Sequence, residues 1–160
     1  MLTVKLICVG KLKEKYYAEA FAEYQKRLGA FCRFAVEELP EQRLNETPSK
    51  KEIAAALEKE AAELEKRVPP GAAVCAFCVE GAQKSSEELA AQLAVWAGAG
   101  KSTVCFVIGG SFGLAERVKQ NAALRLSVSR MTFPHHLFRV MAAEQIYRAF
   151  TIIDGMKYHK

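Results

Sequence analysis

Three glycines stand at the end of a run of strand-formers. In TVCFVIGGSFGL, Thr103 to Ile108 stop at Gly109-Gly110, and Gly113 follows Ser111 and Phe112. Glycine lets a backbone approach a ligand closely. The spacing excludes two common occupants. A dinucleotide fingerprint needs G-x-G-x-x-G and a P-loop needs G-x-x-x-x-G-K-[ST]. Here G-G-S-F-G has other offsets, and no lysine follows within GGSFGLAE. A ligand-binding turn and a plain tight turn are both compatible with these residues.

Other reactive side chains carry weaker signals. Cys75 and Cys78 form a C-x-x-C, but AAVCAFCV reads as a strand, where residues three apart point to opposite faces. Two thiols so placed cannot share a metal, and they are read as packing cysteines. The five cysteines are odd in number and sit in apolar stretches, against a disulfide framework. His135 and His136 are adjacent, which disfavours joint chelation, and no carboxylate cluster accompanies them. Asp154 is the only aspartate, so no Ser-His-Asp set is convincing. No metal is expected.

These residues need elements to position them. LTVKLICV reads as a strand, and Tyr17, Phe21, Tyr24 and Leu28 then recur at helical spacing. CRFAVEEL is a second strand and PEQRLNETPSK a polar loop. Ser49 and Glu52 form a capping box for a helix with Ile53, Leu57, Ala61 and Leu64 on its apolar face. AAVCAFCV, apolar almost throughout, is expected to be buried on both faces. Ser85 and Glu88 open a further helix, bearing Leu89, Leu93 and Trp96. After TVCFVI come a short helix around 115–122, a fifth strand RLSVSRMTF, and a final helix over about 137–152. Leu137, Val140, Met141, Ile146, Tyr147 and Phe150 nearly encircle that last helix, which predicts burial on most sides, in the core or at a subunit interface. Glu144 and Arg148 form an i,i+4 pair in the favourable order.

Strands alternating with helices predict an α/β fold, a mostly parallel sheet with helices on both faces. In such sheets ligands lie beyond the carboxyl ends of the strands, where the glycines fall. The 160 residues suit one domain, 1–160. No apolar run approaches the roughly 20 residues of a membrane helix, and MLTVKLICVGKLKEKYY shows no cleavage pattern, so a cytoplasmic protein is expected. The formal charge of +5 is uneven. Residues 1–100 carry 14 Lys+Arg and 15 Glu, whereas 101–160 carry 9 Lys+Arg and 3 acids, a net +6. That C-terminal part suits a polyanionic partner, although a basic surface without one has the same charge.

IGGSFGL, SVSRMTFPHHLFRVMAAEQIYRA and the closing YHK, taken together, resemble the large-subunit rRNA methyltransferase H family of the SPOUT methyltransferases. The resemblance spans the chain. It implies a C-terminal trefoil knot, a homodimer, S-adenosyl-L-methionine as cofactor, and methylation of nitrogen-3 of a pseudouridine in a 23S rRNA stem-loop of the assembled ribosome. Chains do not ordinarily thread loops, so the knot rests on the resemblance alone.

The resemblance places the cofactor against Phe77, where leucine is common in the family, against Gly109, and against the loop Val128, Ser129, Arg130, Met131, Thr132 and Phe133. A side chain added at Gly109 is expected to project into that cleft. Without the resemblance, Val128, Met131 and Phe133 read as ordinary core. Loss of the imide proton suggests a general base or anion stabilisation, with His135, Arg139, Tyr158 and His159 as candidates. The tail reads either as frayed or, by the resemblance, as part of an active site, in its own subunit or the partner's. Arg125, Arg130, Arg139, Arg148, Lys157 and Lys160 are the expected phosphate ligands. The competing readings are a non-enzymatic ribosome- or RNA-binding α/β module and a methyltransferase with a different RNA target.

Overall fold

The five strand-like runs pair side by side in a computed structural model that describes residues 1–160. They are β1 (Thr3–Val9), β2 (Arg33–Leu39), β3 (Ala73–Gln83), β4 (Thr103–Ile108) and β5 (Leu124–Ser127), in the order β2-β1-β4-β3-β5. Every pairing is parallel. Parallel neighbours need crossovers, and these are supplied by α1 (Lys15–Leu28), α2 (Lys50–Arg67), α3 (Ser86–Gly98) and α4 (Glu116–Asn121), with α5 (His135–Ile153) following β5.

Both expected capping boxes are formed. The Glu52 N–H donates to Ser49 Oγ at 3.1 Å, and the Ser49 N–H returns to Glu52 Oε1 at 3.1 Å. The Glu88 N–H donates to Ser85 Oγ at 3.1 Å and the Ser85 N–H to Glu88 Oε2 at 2.6 Å. Each box satisfies two backbone donors that the first helical turn leaves free.

Successive residues of the central strands feed two cores. Leu6, Cys75, Phe77 and Phe106 pack with α1, α3 and α5 on one face. Ile7, Ala76, Cys105 and Val107 pack with Ala61 and Leu64 of α2 and Val118 of α4 on the other. Burial on both faces explains why these strands are apolar without alternation.

Three elements differ from their sequence reading. The fifth strand ends at Ser127, and 128–134 is loop. Its serines divert it: Ser127 Oγ donates to Ser129 O at 2.9 Å and the Met131 N–H donates to Ser129 Oγ at 3.0 Å. Such local bonds offer the backbone an alternative to a ladder. Strand β3 runs on to Gln83 past an irregularity, since Phe77 and Ala82 both pair with Leu126. The last helix starts at His135 and buries Ala142, Ala143 and Ala149 along with Ile146, Tyr147 and Phe150. Leu137, Val140 and Met141 are only half-buried.

The chain leaves β1 toward β2 on one side and leaves β4 toward β5 on the other. The switch point therefore lies between the carboxyl ends of β1 and β4, marked by Gly10 and Gly109.

Candidate functional site

A hollow of about 690 Å³ opens at the carboxyl ends of the strands. Its walls are the end of β3 (77–80), the glycine-rich turn (108–114), the segment after β5 and the start of α5. Half of its 22 lining residues are hydrophobic, which suits a largely apolar ligand oriented by a few polar points. Phe77, 7% exposed, forms the floor, stacked on Phe106 at 5.8 Å and edge-on to Phe138 at 4.9 Å.

The glycine-rich turn folds back on itself. The Gly113 N–H donates to Gly110 O at 3.0 Å, and Gly113 has a φ of 79°, in the region that favours glycine. A Cβ on Gly109 would lie 2.3 Å from Gly113 O. Position 109 thus excludes a side chain because two backbone segments touch there; the expected projection into the cleft does not occur. A tight turn and a wall of the hollow are here the same residues.

Of the 128–133 loop, Val128, Ser129, Met131, Thr132 and Phe133 line the hollow, while Arg130 is exposed outside it. The lining includes two formally charged side chains, Glu80 and Lys119, and they pair at 2.5 Å. The hydrogen bond from Lys119 holds the Glu80 carboxyl below its usual range. His135 also lines the hollow. Burial, and after it the neighbouring His136, hold its imidazole below the ordinary value, so its neutral form is favoured. The two rings meet edge-on at 4.3 Å, and His136 Nδ1 lies 2.7 Å from Glu14 Oε2.

The other candidate catalytic residues lie elsewhere. Arg139 is buried and does not line the hollow. Its Nη2 donates to Gly10 O at 2.9 Å and its Nη1 lies against Glu38, while Nε has no partner. So placed, it is held away from any phosphate; Arg125, Arg130, Lys157 and Lys160 are exposed. Tyr158 and His159 fold onto α5. The Tyr158 OH donates to Glu144 Oε1 at 3.1 Å, Arg148 Nη1 lies 3.2 Å from His159 Nδ1, and His159 Nε2 lies 2.7 Å from Glu87 Oε1. Glu144 borders a second hollow of about 480 Å³, which shares Phe77, Leu126 and Val128 with the first.

Two residues were missed by sequence reasoning. Spacing makes Glu144 half of an ordinary helical ion pair; it does bind Arg148, at 2.5 Å, but it also receives the tail. Glu38 had a visible signal, a second acid beside Glu37 in a strand that is apolar at Phe34, Ala35, Val36 and Leu39.

Fold and hollow together define a class: parallel α/β proteins with a hollow between a glycine-rich turn and the loop after an edge strand. A family model described as "Predicted SPOUT methyltransferase" matches residues 2–159, and the chain belongs to the SPOUT methyltransferase family. It is 46% identical over 159 residues to the "Ribosomal RNA large subunit methyltransferase H" of Bacillus pumilus (strain SAFR-032), covering 99% of this chain and 100% of the relative. Proteins of the same name from Listeria monocytogenes serotype 4a (strain HCC23) and Limosilactobacillus reuteri (strain DSM 20016) are 45% and 42% identical, with the same coverage. The structure of a probable methylase family protein from Haemophilus influenzae Rd KW20 shares the fold, with a TM-score of 0.53 at 13% identity, over 99% of this chain and 70% of that one.

Proposed function

We propose that this chain is an S-adenosyl-L-methionine-dependent methyltransferase acting on nitrogen-3 of a pseudouridine in a 23S rRNA stem-loop of the assembled ribosome. The observation that carries the reading is the hollow, which the glycine-rich turn, Phe77 and five of the six residues 128–133 line together. Full-length relatives named for methylation of large-subunit RNA support the target.

The residues fit the cofactor. Phe77, Leu126 and Phe138 offer apolar surface to a flat adenine, and the backbone of the turn and of the loop can meet its polar edges. When bound, the cofactor supplies an activated methyl group on a cationic sulfur. The chain's work is then positioning and removal of the imide proton. Neutral His135, on the wall of the hollow, is the side chain placed to accept it.

The same reading makes 1–160 one catalytic domain with its C-terminal part knotted, acting as a homodimer in the cytoplasm. Tyr158 and His159 lie off the hollow in their own subunit, an arrangement that suits a role in the partner's site. No helix is long and apolar enough to cross a membrane.

Two measurements test this. Calorimetry with S-adenosyl-L-methionine is expected to show one site per chain; no binding at millimolar cofactor would favour an RNA-binding module without enzymatic activity. Mass spectrometry of rRNA from cells lacking the protein is expected to show one methylpseudouridine lost from 23S rRNA. A different missing modification would reassign the target.

A further inference from the structure

Glu41 lies in the polar stretch between β2 and α2, to which the sequence assigned no role. The fold carries its carboxylate to the glycine-rich turn, where the Ser111 N–H donates to Glu41 Oε1 at 2.7 Å. The fit is close. A Cβ built on Gly110 would lie 2.6 Å from the same oxygen and 3.2 Å from Val9 Cγ1, and one on Gly10 would lie 3.6 Å from Oε2. The carboxylate is therefore wedged between the glycines that follow β1 and β4, the two strands of the switch point. Its neighbour is anchored too: the Gln42 N–H donates to Glu60 Oε2 at 2.8 Å, and Glu60 is 7% exposed on α2. The two acids form a strut from α2 to the outer side of the turn.

An ionised acceptor makes a stronger bond to a backbone N–H than a neutral one. Gly110 and Ser111 line the hollow and Glu41 does not, so the carboxylate acts on a ligand only through the turn. We propose that Glu41 is a positioning residue, holding the Gly109–Gly113 turn by the Ser111 N–H in the geometry that binds the methyl donor. This rests on the reading of the hollow as an S-adenosyl-L-methionine site.

The test is calorimetry with S-adenosyl-L-methionine on the full chain, beside steady-state kinetics on ribosomes. Wild type is measured first; a wild-type chain that binds no donor overturns the reading of the hollow, and this inference with it. Given wild-type binding, losing a charge-assisted hydrogen bond predicts donor affinity about tenfold weaker in Glu41→Ala. The effect should appear in KM for the donor, with kcat at saturation within about twofold. Glu41→Gln keeps an acceptor oxygen without the charge and should recover affinity to within about threefold. That recovery separates a held turn from an electrostatic effect on nearby His135. Gly110→Ala, which puts a methyl against the carboxylate, should weaken binding alone but add little on top of Glu41→Ala. Full affinity in folded Glu41→Ala, or Glu41→Gln as weak as Glu41→Ala, overturns the role. If Glu41→Ala does not fold, folded Gly110→Ala with wild-type affinity overturns it as well.

Discussion

Arg139 Nη1 lies 2.5 Å from Glu38 Oε2, across 101 residues of chain. The Leu12 N–H donates to the same Glu38 oxygen at 2.9 Å, and Arg139 Nη2 reaches Gly10 O at 2.9 Å. One guanidinium thus ties the first turns of α5 to the end of β2 and to the chain leaving β1. The arginine that sequence placed on the RNA-facing surface holds together the support of the hollow.

Removing Arg139 should therefore cost stability before it costs chemistry. Breaking a fully buried ion pair costs about 3–5 kcal/mol, but the Glu38 side chain is 37% exposed and is partly rehydrated, so Arg139→Ala should lose about 2 kcal/mol. Arg139→Lys should recover little, because an ammonium cannot reach both Glu38 and Gly10 as a planar fork does. Urea denaturation reads both variants. Wild-type stability in Arg139→Ala would show that this tie does not hold the fold together.

Gly109→Ala should open the turn, since its Cβ would meet Gly113 O at 2.3 Å. The cost of such overpacking is about 1–3 kcal/mol, and donor affinity should fall with the displaced wall. Thermal denaturation and calorimetry with the methyl donor check the two effects. An alanine variant that matches wild type in both would show that the turn can adjust around the clash.

His135 should leave an acid limb in the pH dependence of methyl transfer. Its folded-state value lies below the ordinary 6.5, so between the two the folded chain binds fewer protons than the unfolded one. The neutral imidazole and the stability that goes with it are present above about 6.5 and are lost as pH falls through the lower folded value. Transfer should be flat above that range and decline below it, and His135→Ala should abolish the limb. A limb unchanged in His135→Ala would assign the proton to another group.

Deleting Tyr158 to Lys160 should spare the fold and donor binding but abolish transfer. Tyr158 packs edge-on to Tyr147 at 4.8 Å and lies 4.7 Å from the Arg148 guanidinium. Losing one aromatic contact and one hydrogen bond costs about 1–2 kcal/mol. Burial, and then Glu144, push the Tyr158 hydroxyl up from 10.0 to about 12, so its contribution is present below about pH 10 and lost as pH rises through about 12. Truncated protein should therefore lose part of its alkaline transition in a denaturation series. Turnover that survives the truncation would remove the tail from catalysis.

Much of the fold was legible because its signals are local. The capping boxes at Ser49 and Ser85 depend on residues three apart, and the apolar runs of β1, β3 and β4 reflect burial on two faces. The loop after β5 misled because Val128, Met131 and Phe133 have strand-like side chains, whereas the bonds that end the strand come from Ser127 and Ser129. Of the site, the glycine-rich turn was visible as a ligand wall or a tight turn; the structure shows a tight turn that lines a hollow.

By itself, the sequence determined the alternation of strands and helices, the two-sided burial of the sheet, the basic C-terminal part and the family. These follow from residue type, periodicity and motif, which act over a few positions. Only the tertiary structure decided that Arg139 points inward to Glu38, that Tyr158 rests on Glu144, and that Glu41 grips Ser111 from 70 residues away. Such pairings depend on which strand ends the crossovers bring together, and no spacing along the chain encodes a distance across the sheet.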